Sequence, residues 1–300
     1  MDNPYKCCNI CPRRCKADRT TGAGFCGCGD VPLVNLYKLH YGEEPVISGT
    51  AGSGTVFFEG CGTGCVFCQN RGISKGPTGK AEKCDASRLA EIYLELQSLG
   101  ANNENLVTPM HFAPTVAESL RLAKSQGLTV PVAVNSSGYD SVGSLRMLDG
   151  LVDIYMPDMK FCSQDIAGRF AHCRDYFQVC CMAIDEMVRQ VGEPVTEGGL
   201  MRRGVIVRHL MLPGCLFDSR HILEYLTSRY GNRIYISLMS QYTPMPHILG
   251  DPAADERLKR TLAPEHYELM CGLLAERGQT NAFVQEMESV GDDLIPDFRV

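Results

Sequence analysis

The sequence predicts an α/β fold, a partial TIM-type (β/α)6 barrel over residues 51–300 preceded by a small Cys-rich segment and connector over 1–50. Three observations predict it. Short apolar runs stopped by Gly or Pro alternate six times with amphipathic helical stretches, the pattern of parallel strands joined by right-handed helical crossovers. The 300 residues are 44% hydrophobic, enough for one large core. The first thirty residues break the pattern, being rich in Cys, Arg and Gly with no apolar run.

In chain order, that opening segment carries Cys8, Cys11 and Cys15, then Cys26 after ten intervening residues, with Cys7 and Cys28 beside them. Pro12 and Gly22, Gly24, Gly27 and Gly29 mark it as loop. A segment of this kind makes no core of its own and gains order from metal. Residues 31–46, with His40, Glu43 and Glu44, read as a connector, and the glycines of 48–54 as a flexible lead-in lacking the G-K-[S/T] of a phosphate loop.

A strand at 55–58 ends at Glu59-Gly60 and delivers Cys61-Gly-Thr-Gly-Cys65-Val-Phe-Cys68. The helix expected at 87–99 places Leu89, Ile92, Leu96 and Leu99 on one face, with Ser87 as N-cap and Gly100 behind it. Strands follow at 105–108, stopped by Pro109, at 128–134, with Pro131 inside it, and at 151–156, stopped by Pro157. Helices at 115–126 and 176–191 close on Gly127 and Gly192. The fifth and sixth strands are expected at 205–211 and 233–239, separated by a helix at 219–230. A helix at 264–277 opens on Pro264 and closes on Gly278, and 282–285 adds a last strand.

Barrels of this kind do chemistry at the C-terminal ends of their strands. The rule selects the cysteine loop, Thr108 and His111 after the second strand, Asn135 to Tyr139 after the third, Asp158 and Lys160 after the fourth, and Gln241-Tyr242 after the sixth. Arg208 and His209 alternate on the fifth strand, so one faces inward and the other outward. His111 is a candidate polar group for substrate.

The three clustered cysteines are separated by three and two residues, a spacing suited to thiolates converging on one inorganic centre. Gly62 and Gly64 let the backbone wrap it closely. No fourth cysteine or histidine follows nearby, since Cys84 lies beyond a Gly- and Lys-rich stretch. Three ligands leave one metal position open. The spacing of Cys8, Cys11, Cys15 and Cys26 instead closes a shell of four, which suits structural zinc or an auxiliary iron-sulfur cluster equally.

Sixteen cysteines with no signal peptide read as metal ligands and buried small residues of a cytoplasmic protein. Cys162, Cys173, Cys180, Cys181, Cys215 and Cys271 share no ligand spacing and are read as buried. A net charge of −6, and basic pairs only at Arg13-Arg14 and Arg202-Arg203, give no footprint for nucleic acid, and each pair reads as a solvated face or local anion contact. No run of eighteen apolar residues suggests a membrane span.

The C-x3-C-x2-C loop with an aromatic residue before its last cysteine resembles that of radical S-adenosylmethionine (SAM) enzymes. Blocks such as Leu106-Val-Thr-Pro109, Asn135-Ser-Ser-Gly-Tyr139, Asp153-Ile-Tyr-Met-Pro-Asp158 and Ser240-Gln-Tyr-Thr-Pro244 are similar to those of uncharacterised relatives of pyruvate formate-lyase activating enzyme, over nearly the whole chain. The resemblance implies a [4Fe-4S] cluster on Cys61, Cys65 and Cys68 with SAM on the open iron, reductive cleavage to a 5'-deoxyadenosyl radical, and hydrogen abstraction from a substrate. It implies that Phe67 lies at the adenine, that Asp158 and Lys160 hold the methionine end, and that Asn135 and Ser136 contact SAM. The Gly-Gly-Glu that receives the SAM amine in this group is replaced by Thr108-Pro-Met-His111, leaving Thr108 and backbone carbonyls for that role. The implied partners are a flavodoxin- or ferredoxin-type reductant and a glycyl radical enzyme or peptide. Modification of a small molecule or another peptide is the competing enzymatic reading, and a non-catalytic electron-transfer or metal-binding protein is the other.

Overall fold

In the computed structural model, which describes residues 3–285, 296 and 298, ten strands form one sheet. They are β1 Leu33–His40, β2 Ser53–Phe58, β3 Glu82–Lys83, β4 Glu104–Val107, β5 Val132–Ser136, β6 Ile154–Pro157, β7 Val195–Glu197, β8 Leu200–Leu210, β9 Tyr235–Met239 and β10 Ala282–Val284. The order across the sheet is β10-β9-β8-β6-β5-β4-β2-β1-β3, with β7 paired to β8 alone. From β2 to β10 every neighbour on this path is parallel. The six expected strands are β2, β4, β5, β6, β8 and β9, and the short run at 282–285 is β10. The stretch beyond residue 285, apart from Pro296 and Phe298, lies outside the described residues.

Burial on both faces explains the composition of the central strands. All of β2 and β4 and most of β5 are buried, as strands of a parallel sheet covered on both faces are. The helices present one apolar stripe each. Ala86–Ser98 buries Leu89, Ile92, Tyr93 and Leu96, and Tyr176–Val191 buries Tyr176, Cys180, Ala183, Ile184, Met187 and Val191.

Several local expectations are corrected. The connector at 31–46 contains β1, which pairs antiparallel with β2 and β3, and a short helix Pro45–Ser48. Asn35, Lys38 and His40 interrupt the apolar pattern that would have marked the strand. Asp85, not Ser87, caps the helix that follows, its carboxylate accepting from Arg88 N at 2.9 Å. The third strand starts at Val132 because Pro131 has no N–H to give the ladder; its carbonyl still accepts from Glu104 N at 2.9 Å. The fourth starts at Ile154, since Leu151 N turns back onto Leu148 O. The fifth begins earlier, at Leu200, through a hairpin to β7 whose turn residues Gly198 and Gly199 have φ of 58° and 81°. Among the helices not anticipated, Val142–Met147 and Gln164–Ala171 are short and rely on a serine N-cap, Ser141 or Ser163.

The Cys-rich opening segment packs into the main body. Tyr5, Cys8, Ile10, Cys26 and Cys28 belong to the same buried cluster as the helices and the sheet. No helix among the described residues is long and apolar enough to cross a membrane. The described cysteines are all free thiols. Of those read as buried small residues, Cys173, Cys180 and Cys215 are buried and Cys162, Cys181 and Cys271 are half-buried.

Glu104 at the start of β4 is fully buried, and neither carboxylate oxygen finds a partner among the described residues. Burial raises its carboxyl from 4.5 to about 10. The folded state therefore holds a proton that the unfolded state has released. The stability is fully present below pH 4.5 and drains away as pH rises through the range up to about 10. Glu104→Gln should be more stable than the parent by on the order of 2–4 kcal/mol at pH 8, with the gain shrinking toward pH 5. Thermal unfolding across that range checks this; identical pH slopes for parent and variant would exclude it.

Candidate functional site

A cavity of about 480 Å³ opens at the C-terminal ends of the parallel strands, within the roughly 300–1,000 Å³ usual for small-molecule sites. Cys61, Cys65 and Cys68 border one side. Thr108, Asn135, Ser136, Asp158 and Lys160 come to it from the ends of β4, β5 and β6, and Arg208 from β8.

The cysteine loop is held from several directions. Val66 N donates to Phe170 O at 2.8 Å, and His247 Nε2 donates to Val66 O at 2.7 Å. Thr63 N lies 3.4 Å and Thr63 Oγ1 3.1 Å from Cys61 Sγ. Arg13, which the sequence offered only as part of a basic pair, is a clamp. Its guanidinium donates to Gly62 O at 2.7 Å, to Thr63 O at 2.9 Å, to Ala171 O at 2.7 Å and to His172 O, with the Phe25 ring 4.1 Å from its carbon. A signal for this role is absent from the sequence, because its partners lie about 50 and 160 residues away.

Among the described residues, the one group of three or more Cys, His, Asp or Glu ligand atoms all within 4.8 Å of one another is Cys26, Cys28 and His111. The sulfurs of Cys61, Cys65 and Cys68 are thus spread more widely. A single tetrahedral ion with metal–sulfur bonds of about 2.3 Å draws its ligands to about 3.8 Å of each other. A cubane, with an iron at each ligand-bearing corner, accepts a wider set, so the three thiols fit a cluster with one iron left free of protein. Burial pushes the Cys65 thiol far up and the Cys68 thiol up, while the Lys160 ammonium draws both down. Metal loading must therefore displace protons, and Lys160 favours their loss.

Lys160 and Asp158 form an ion pair at 2.5 Å, about one-fifth exposed. Burial opposes the ammonium charge, but Asp158 and the two nearby sulfurs outweigh it and hold Lys160 protonated. Tyr176 fixes the backbone here, its hydroxyl lying 2.8 Å from Asp158 O and accepting from Lys160 N at 3.0 Å. Gly138 is needed opposite: its φ is 72°, and a Cβ there would stand 2.0 Å from Asp158 O.

The remaining SAM-assigned residues differ in what they offer. Asn135 lines the cavity, and its side chain has no hydrogen-bond partner among the described residues. The Ser136 hydroxyl is already committed, donating to Asp140 Oδ2 at 2.5 Å. Thr108 lies at φ 59°, a left-handed position that a β-branched side chain occupies only where the surroundings enforce it. The Phe67 ring packs against Phe161, Phe170 and Tyr242 at centroid distances of 6.0–6.3 Å, so it serves as a wall and leaves its backbone for contacts. Gln241 also lines the cavity.

His111 does not reach the cavity. It is buried on the side of the N-terminal segment, its Nε2 2.9 Å from Glu59 O, and burial lowers its pKa to about 3. Arg208 and His209 divide as their alternation requires. His209 points into the helical layer with Nδ1 2.7 Å from Met159 O, while Arg208 faces the cavity and pairs with Glu43 and Glu44. Those two carboxylates sit in the stretch read as a connector, and nothing in their local pattern announces a site.

No protein-family model matches the chain. The uncharacterised protein MJ0674 of Methanocaldococcus jannaschii is 28% identical over 250 residues, covering 81% of this chain and 68% of that protein. Among solved structures, Streptococcus suis SuiB bound to S-adenosylmethionine aligns with a TM-score of 0.50 at 12% identity, over 75% of this chain and 48% of SuiB. The two share a fold, and this chain spans about half the length of SuiB. anSMEcpe with bound AdoMet and the Kp18Cys peptide aligns at a TM-score of 0.44 and 9% identity, over 77% of this chain and 57% of that one.

Proposed function

We propose that this chain is a radical SAM enzyme whose curved sheet acts as a partial (β/α)6 barrel. The observation that carries the reading is a single cavity bordered by three thiols on one loop and by a Lys–Asp pair whose ammonium lies within electrostatic reach of two of them, Cys65 and Cys68. Cys61, Cys65 and Cys68 would hold a [4Fe-4S] cluster, which when bound supplies one electron to the SAM sulfonium and so yields methionine and a 5'-deoxyadenosyl radical. The protein's own work is orientation and exclusion of water. Lys160 and Asp158 hold the zwitterionic methionine end through charge-assisted hydrogen bonds. Thr108 and Asn135 offer polar atoms to it, the Phe67 backbone faces the adenine, and the buried rings of Phe67, Phe161 and Phe170 keep the wall dry.

Within this class, an activating-enzyme role fits the sequence blocks that resemble those of relatives of pyruvate formate-lyase activating enzyme. The hydrogen donor is then a glycyl residue of a partner enzyme or a peptide, and the electron source a flavodoxin- or ferredoxin-type protein. Anaerobically reconstituted protein, reduced and mixed with SAM, should change its cluster EPR signal and form 5'-deoxyadenosine. An unchanged signal with no deoxyadenosine would refute the assignment.

The Lys–Asp pair gives a separate expectation. Lys160→Met and Asp158→Asn should each weaken SAM binding by about 10–100-fold, the worth of one hydrogen bond to a charged group, while iron content stays at the parent level. Equilibrium binding of SAM to the reconstituted variants measures it, and parent-like affinity in both would remove the pair from the site.

A further inference from the structure

Four N-terminal cysteines are gathered beside the loop of Cys61, Cys65 and Cys68. Backbone pairing does the gathering. Lys16 N donates to Cys8 O and Cys8 N to Ala17 O, each at 3.0 Å, so the chain after Cys15 returns alongside Cys8, while Arg14 N closes a turn on Cys11 O at 3.1 Å. Arg14 and Lys16 have φ of 44° and 57°, a conformation costing a non-glycine residue on the order of 1–2 kcal/mol. Gly24 leaves room where sulfurs crowd: a Cβ there would stand 3.4 Å from Cys15 Sγ and 3.5 Å from Cys26 Sγ. Cys11 lies within electrostatic reach of Cys26, Cys8 and Cys15. It also abuts the other loop, since a Cβ on Gly62 would be 3.6 Å from Cys11 Sγ.

A second, independent observation calls for negative charge at this point. Arg19 is 1% exposed, its guanidinium carbon 4.9 Å from the Tyr5 ring centroid and 5.0 Å from that of Phe112. It donates to the carbonyls of Cys28, Gly29 and His111 and to Cys8 Sγ at 3.6 Å. No carboxylate pairs with it among the described residues, and the titratable side chains within electrostatic reach of it are Cys26, Cys8 and Tyr5. A buried cation without a counter-charge is strongly unfavourable, and an anionic four-thiolate cluster on the cysteines facing Arg19 would supply one.

Cys26, Cys28 and His111 are a poorer ligand set although their atoms lie closer together. His111 Nε2 donates to Glu59 O at 2.9 Å, and a ring nitrogen carrying that proton has no lone pair for a metal; Cys28 Sγ lies 3.3 Å from the same oxygen, where a metal-bound thiolate would face a carbonyl oxygen with no proton between them. The set of Cys8, Cys11, Cys15 and Cys26 is also too open for a single zinc ion, because no three of those sulfurs lie within 4.8 Å of one another.

We infer that Cys8, Cys11, Cys15 and Cys26 hold a second [4Fe-4S] cluster, closed by four thiolates and packed against the Cys61–Cys68 loop, and that electrons enter the protein through it. Cys15 is exposed and Cys11 meets the other loop, so the site spans from solvent to the cavity wall. One electron passes from a reduced flavodoxin- or ferredoxin-type donor, which is oxidised, to the N-terminal cluster. The same electron then moves to the cavity-side cluster, returning the N-terminal one to its oxidised state. The role rests on the radical SAM reading; the ligand set does not.

The Cys61/Cys65/Cys68→Ala protein, which cannot build the cavity-side cluster, separates the two. Reconstituted anaerobically with iron and sulfide, it should bind about four irons and four sulfides per chain and give an EPR signal on reduction with dithionite. Adding Cys8→Ser should remove them, and adding Cys7→Ser, a neighbouring exposed cysteine, should not. About one zinc per chain with no iron uptake, or a folded metal-free protein, would overturn the cluster. In the unmutated protein, full reduction should give a spectrum broadened by interaction between two adjacent clusters; a plain sum of two isolated signals would overturn the packing. Cys15→Ser should lower deoxyadenosine formation at least fivefold more when reduced flavodoxin is the donor than when dithionite is. Equal losses with both donors, or none with either, would overturn the electron route.

Discussion

Cys65→Ala should lower deoxyadenosine formation by at least about 1,000-fold, because it removes a ligand without which the cavity-side cluster is not held. Cys65 is the middle of the three cysteines and the most buried, with Lys160, Cys61 and Cys68 all within electrostatic reach of its sulfur. Two remaining thiols cannot fix three irons. The fold should survive, since the loop is tied by backbone bonds at Val66 and by Arg13 on Gly62 and Thr63, none of which uses the sulfur. Cys84→Ala is the matching control: Cys84 is also buried but follows β3, away from the cavity, and its loss should leave turnover unchanged. Discontinuous assay of deoxyadenosine by chromatography, with iron content measured on the same samples, checks both. A Cys65→Ala protein that cleaves SAM at the parent rate would refute the central assignment.

What the sequence made legible was local. Three sulfurs within eight residues single out one loop, which borders the cavity, and the strand-end rule finds Thr108, Asn135, Asp158 and Lys160 because parallel strands end together on one side of a sheet. The third and fourth strands were placed early by three or four residues, as apolar side chains such as Leu128 and Leu151 continue the pattern while packing outside the ladder. What the sequence concealed was long-range and polar. Arg13 meets its carbonyls across about 50 and 160 positions. Arg19 is buried against thiols, and Glu43 and Glu44 meet Arg208 across more than 160 positions. Charged residues usually belong to surfaces, so composition argues against their burial until tertiary contacts are known. His111 misled for the converse reason: it follows an active strand end, but the short helix Met110–Phe112 turns it away from the cavity and under the N-terminal segment.

Arg208→Met should destabilise the protein by about 3–5 kcal/mol, the usual cost of stranding buried charge. Arg208 is a tenth exposed and holds two carboxylates at once, donating through Nε to Glu44 Oε1 at 2.9 Å and through Nη2 to Glu43 and Glu44. Glu43 is further tied to β4 by Asn105 Nδ2 at 2.7 Å. The trio thus fastens the turn after β1 to two parallel strands at the rim of the cavity. Burial works to raise the Glu44 carboxyl, but the Arg208 guanidinium outweighs it and holds it below the ordinary 4.5. In the parent this contribution is present above pH 4.5 and is lost as pH falls through the depressed folded value. Without Arg208 the sign reverses. Desolvation, the largest influence on Glu44, is then opposed only by hydrogen bonds from Ser237 and the backbone and raises its folded pKa, so the variant should regain stability on acidification from pH 7.5 toward about pH 5, where the parent changes little. Adding Glu43→Gln and Glu44→Gln to Arg208→Met should recover most of the loss, because no charge is left buried alone. Urea unfolding of the three proteins at pH 5 and pH 7.5 reads all of this, and a single variant as stable as the parent at pH 7.5 would mean that the trio is solvated and contributes nothing to holding the rim.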